Sequence, residues 1–201
     1  NQITNPTVGL KTITIAGSFG DTGEISVYII TDDQVSISAT VAQALTFSLS
    51  STTIGFGTLS ASNVRFASND SAGAVVPTTA HNLQASTNAS NGYAITVKGP
   101  TLTSGGSSIT AIGGSNTAIA SGTEQFGVRF SSSGGSGGVV APYAASGCAY
   151  GADSTTTSQI ASSTVPSDTT TYNATYIANI STLTEAGSYT TALTYVATAT
   201  Y

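Results

Sequence analysis

This chain has no tryptophan, no methionine, one cysteine and one histidine, and only 6% of its 201 residues are charged. Each shortage closes off a class of function. A lone Cys148 forms no intramolecular disulfide; it reads as a small buried hydrophobe, with an intermolecular bridge or a reactive thiol as the alternative. One histidine and one cysteine are too few for a zinc site of the usual ligands. Lys11, Arg65, Lys98 and Arg129 are the only cations against nine carboxylates, giving a net charge of −5. Nucleic-acid binding, which needs clustered Lys and Arg to displace counterions, is therefore excluded. No stretch approaches the ~20 apolar residues of a transmembrane helix. The first residue is Asn1, without initiator Met or signal-like segment, so an exported chain is expected here with its signal already removed.

What the chain does have is period two. In Val35 to Leu49, VSISATVAQALTFSL, the residues Val35, Ile37, Ala39, Val41, Leu45, Phe47 and Leu49 share one parity. That spacing predicts a half-buried strand, about 50 Å long if continuous at ~3.3 Å per residue. Shorter alternating runs follow the same rule: LKTITIA (Leu10–Ala16), EISVYII (Glu24–Ile30), HNLQAST from His81, Tyr93-Ile95-Val97, Phe126-Val128-Phe130, YNATYIANI (Tyr172–Ile180) and the closing YTTALTYVATATY. Asn91-Gly92 is a dipeptide favoured in type I′ hairpins. Ser131–Gly138 reads as a mobile low-complexity run, and Val139–Ser163 as a long decorated loop with at most one strand. About ten strands and no helical stripe predict an all-β, antiparallel β-sandwich, jelly-roll or Ig-like, with an extended N-terminal strand. The expected division is an arm over residues 1–18 and one sandwich domain over residues 19–201.

Candidate sites are few. Gly134 to Gly138 matches the G-x-S-x-G nucleophile elbow, but no helix follows, and a Ser/Gly run produces the match by chance. A Ser-His-Asp triad would have to use His81, read here as a surface residue where a strand begins. Asp32-Asp33, with Asp21 and Glu24, are the only acids grouped in loops; calcium is conceivable, solvated turns commoner. No cofactor is expected. N-x-S/T sequons stand at Asn69, Asn88, Asn173 and Asn179. Tyr143 and Tyr150 are the aromatics a glycan-binding loop would use.

The segments LTFSLSSTTIGFGTL, STNASNGYAITVKG, TEQFGVRF and YIANISTLTEAGSYTTALTYVATATY resemble secreted Ser/Thr-rich prokaryotic β-sandwich surface proteins. AGSYTTALTYVATA is also similar to the final hairpin of WxL-type and pilin-like wall proteins, although WxL domains carry a tryptophan this chain lacks. Exported sandwiches of this style include TasA-type and archaeal bundling filament subunits. The resemblance implies an extracellular filament or pilus subunit that polymerises with identical copies by donor-strand insertion. On that reading Val8, Leu10, Ile13 and Ile15 are the inserted side chains. The alternative is that LKTITIA pairs at home with EISVYII. A second expectation is a tethered or monomeric adhesin that binds surface glycans or host cells.

Overall fold

The computed structural model describes residues 7–18, 20–31 and 34–201. The chain divides into two compact units, one ending at Val41 and the other beginning at Ala42. The first unit holds both the arm's strand and its partner strand.

In the first unit, β1 (Gly9–Ala16) pairs antiparallel with β2 (Thr22–Ile29) over its whole length, from Gly9↔Ile29 to Ala16↔Thr22. LKTITIA therefore pairs in cis. Thr14 Oγ1 donates to Glu24 Oε1 at 3.4 Å, one of the few side-chain ties across the ribbon. Leu10, Ile13, Ile15, Ile25, Val27 and Tyr28 are all exposed. A lone two-stranded ribbon is marginally stable in water, and this one carries apolar side chains on both faces.

The second unit contains β3 (Leu45–Leu49), β4 (Arg65–Phe66), β5 (His81–Thr87), β6 (Tyr93–Lys98), β7 (Thr103–Ser104), β8 (Ser107–Ser108) and β9 (Gly113–Thr117). It continues with β10 (Gln125–Gly134), β11 (Gly138–Val139), β12 (Cys148–Tyr150), β13 (Ser158–Ser163), β14 (Ser167–Asn179) and β15 (Thr194–Ala199). One sheet runs β3-β5-β14-β10-β12-β9, with β4 against β14; a four-stranded sheet runs β11-β13-β6-β15. All the strand pairs are antiparallel, and no helix occurs among the described residues. The two sheets share one core: Leu83, Phe126, Val128, Tyr172 and Tyr176 from the larger meet Tyr93, Ile95, Val97 and Ile160 from the smaller. That arrangement is consistent with a β-sandwich. The alternation that located β5, β6, β10 and β14 is what supplies these inward side chains.

Four local expectations are corrected. The strand anticipated from Val35 is regular only over β3; residues 34–44 form no strand, and Val35, Ile37 and Val41 are more than four-fifths exposed. Period two had marked side-chain chemistry, but no strand among the described residues pairs with that stretch to make a ladder. Asn88–Gly92 is not a hairpin turn, because β5 pairs with β3 and β14 while β6 pairs with β13 and β15. It is a corner between sheets, closed by Gly92 N–H donating to Ala89 O at 3.0 Å. The Ser131–Gly134 part of the low-complexity run is the end of β10, in register with Thr170–Asn173 of β14. Finally, Val139–Ser163 is not one loop; it carries β12 and β13, and Tyr143 and Tyr150 are buried within it.

Candidate assembly surface

The larger sheet ends at β3 and the smaller at β15, and these two strands neighbour one another at the same margin. β3 pairs on one side with β5 (Leu45↔Thr87 to Leu49↔Leu83), and β15 on one side with β6 (Thr194↔Lys98 to Ala199↔Tyr93). No strand among the described residues pairs with their other sides. The margin is lined by Leu45, Phe47, Tyr195 and Ala197, all only partly buried, with Leu49 exposed. Neither LTFSL nor TYVATA contains Lys, Glu, Asp or Pro, the residues that usually blunt a sheet edge.

Just before β3 the chain is held by Asn88. Its Nδ2 donates to Ala42 O at 2.7 Å and its Oδ1 accepts from Ala44 N–H at 2.8 Å, a two-point bond like that of a strand's own peptide group. Thr87 Oγ1 donates to Ala44 O at 2.8 Å, and Asn88 N–H donates to the same carbonyl at 3.3 Å. Residues 42–44 therefore run on in line with the β3–β5 ladder. The sequence marked Asn88 as a turn residue and sequon; its clamp depends on a contact forty-four residues away and left no local signal.

Of the anticipated polymerisation residues, Val8, Leu10, Ile13 and Ile15 are half or more exposed, the last three on the β1–β2 ribbon. Among the sequons, Asn69 and Asn88 are exposed and Asn173 is half-buried in β14. Asn179 is 1% exposed, and its Nδ2 donates to Ala120 O at 3.1 Å and to Gln125 Oε1 at 3.0 Å. A glycan there would have to break that buried bonding, so Asn179 is a core residue. Asp32 and Asp33 lie outside the described residues; Asp21 and Glu24 are exposed. No group of three or more His, Cys, Asp or Glu gathers among the described residues.

Several buried polar side chains bond to one another. His81, read from sequence as a surface residue, is 7% exposed; its Nε2 lies 2.9 Å from Tyr176 Oη, which in turn bonds Tyr195 Oη. Burial lowers the His81 pKa, and burial raises those of both tyrosines. No serine or carboxylate hydrogen-bonds the His81 ring among the described residues, and its Nδ1 is unpartnered. Tyr143 Oη donates to Ser158 Oγ at 2.7 Å and Tyr150 Oη to Gly99 O at 2.7 Å, so both are core residues rather than glycan platforms. Cys148 packs with Phe66 and Ile177, and burial pushes its thiol up to about 11 despite Arg129. A thiol so protonated is a poor nucleophile.

Comparisons with protein-family models, with curated proteins and with solved structures find no match for this chain. Among the described residues no helix is long and apolar enough to cross a membrane.

Proposed function

We infer that this protein is a structural subunit of an extracellular filament, exported and non-enzymatic, in which the first unit of one copy completes the β-structure of the next. The sandwich is taken as jelly-roll or Ig-like, with its β3/β15 margin left open for addition. One observation carries the reading: an uncharged sandwich margin with no partner strand among the described residues occurs in the same chain as the exposed apolar side chains Leu10, Ile13, Ile15, Val35, Ile37 and Val41. Adding a strand to an open edge satisfies its backbone groups and fills its side-chain pockets. Burying each large apolar side chain contributes roughly 1.5–3 kcal/mol, an upper figure for a chain already partly compact. Donor and acceptor are different surfaces, so the contact repeats head to tail and gives a fibre rather than a closed dimer. A surface rich in Ser and Thr with 6% charged residues leaves little like-charge repulsion between packed copies.

Negative-stain microscopy of the purified chain and of a form lacking the whole first unit, residues 1–41, tests this. Fibres from the intact chain support it; a strictly monomeric intact chain at high concentration contradicts it.

A further inference from the structure

We propose that the donor is the segment Gln34–Val41, not the β1 strand, and that it adds in trans beside β15 of a second copy, its apolar side chains covering the flank of β3. The proposal rests on the filament reading above and names its two contacting surfaces.

The case for the donor begins with what is already spent. β1 has its partner in β2 along every residue from Gly9 to Ala16. Residues 34–41 pair with no strand among the described residues, yet Val35, Ile37, Ala39 and Val41 fall on one parity, with Ser36, Ser38 and Thr40 on the other. Val35 is 86%, Ile37 89% and Val41 84% exposed. These are the most β-prone side chains in the segment, arranged as a strand needs them and covered by nothing.

The case for the acceptor is by comparison of edges. The larger sheet's far edge is β9, GGSNT, which has no large side chain to line a pocket; β11, at the smaller sheet's far edge, is two residues long. Among the sheet edges of the second unit, only the β3/β15 margin joins ladders of five and six residues to a row of partly buried apolar groups, Leu45, Phe47, Tyr195 and Ala197, with Leu49 exposed beside them. Donor and margin are both free of charge, so neither sets repulsion or a buried ion against the join.

The occupant is a second copy because of Asn88. Ala42, Gln43 and Ala44 alone separate Val41 from β3, and Asn88 and Thr87 hold Ala42 and Ala44 in line with the ladder. A return onto the same copy's margin needs a reversal there. Placing the reversal earlier would consume the apolar residues that are to be inserted.

Cross-linking of the full chain tests this. Copies carrying Ile37→Cys are mixed with mass-tagged copies carrying Leu49→Cys under mild oxidation, beside Ile13→Cys with Leu49→Cys and the wild type, whose Cys148 is buried. The expected result is a heterodimer band for the Ile37 pair at least tenfold above both others. A labelled peptide of residues 34–43 should also bind a full-length acceptor carrying V35T, I37T and V41T, and lose at least tenfold in affinity when the peptide carries the same changes. Fibres with cross-linking dominated by Ile13, or with neither cross-link, overturn the donor assignment and leave the filament reading standing. No fibres and no peptide binding overturn both.

Discussion

The phenol oxygens of Tyr93 and Tyr172 meet at 2.8 Å, one from each sheet, so the two layers are joined by a hydrogen bond through the core. Both side chains are almost wholly buried. Removing one hydroxyl leaves the other desolvated, whereas removing both leaves an apolar contact of similar shape. Tyr93→Phe and Tyr172→Phe are each expected to cost about 1–3 kcal/mol, and the double variant less than their sum. Urea unfolding of the four proteins measures the coupling; strict additivity would mean the bond contributes nothing.

Gly137 stands over that pair. A Cβ placed there would lie 2.1 Å from Tyr172 Oη and 2.3 Å from Tyr93 Oη. Gly137→Ala therefore forces the hydroxyls apart and is expected to destabilise by roughly 1–3 kcal/mol. In the Tyr93→Phe, Tyr172→Phe background the same change should cost clearly less. Equal cost in both backgrounds would place the strain elsewhere.

His81 predicts a pH dependence in a range where no other side-chain type ordinarily titrates, since it is the only histidine. Its folded pKa lies below the unfolded value of 6.5 because burial disfavours the charged ring. The unfolded chain therefore binds the proton first. Stability is full above pH 6.5, falls as pH drops below it, and levels off once the folded ring is also protonated. His81→Gln should flatten the unfolding midpoint between pH 7 and 5. A wild type already flat there would show that the ring is not shielded.

Asn88→Ala removes both side-chain bonds to the segment ahead of β3 while leaving the β3–β5 ladder intact. The expected loss of global stability is small, about 0.5–1.5 kcal/mol. Hydrogen exchange of the Ala44 amide should rise at least tenfold, with little change at Phe47. Unchanged exchange at Ala44 would show that the clamp is not closed in solution.

How much of this was legible beforehand divides by range. Where alternating residues faced a core, as in Tyr93-Ile95-Val97 or Phe126-Val128-Phe130, parity alone gave the strand and its buried face. Parity cannot say whether a partner is present, so Val35–Val41 and Leu45–Leu49 read as one strand although only the second part is paired. Nor does composition report tertiary packing: Gly137 looked like linker and is a packing requirement, and Tyr143 and Tyr150 looked like loop aromatics and lie in the core. The Asn88 clamp and the β3/β15 margin arise from residues far apart in the chain. The short apolar strand LKTITIA at the end of the arm was legible from its residues; its cis pairing over Gly9–Ala16 was one of two readings the glycines after it allowed.

Polymer assembly by the wild type and by the V35T, I37T, V41T triple variant tests the central claim most directly. These side chains are exposed in the single subunit, so their loss should leave the unfolding midpoint unchanged. Sedimentation and negative-stain microscopy at matched concentration should then show fibres for the wild type and a monomer for the variant. Fibres of equal length and yield from both proteins would contradict the account.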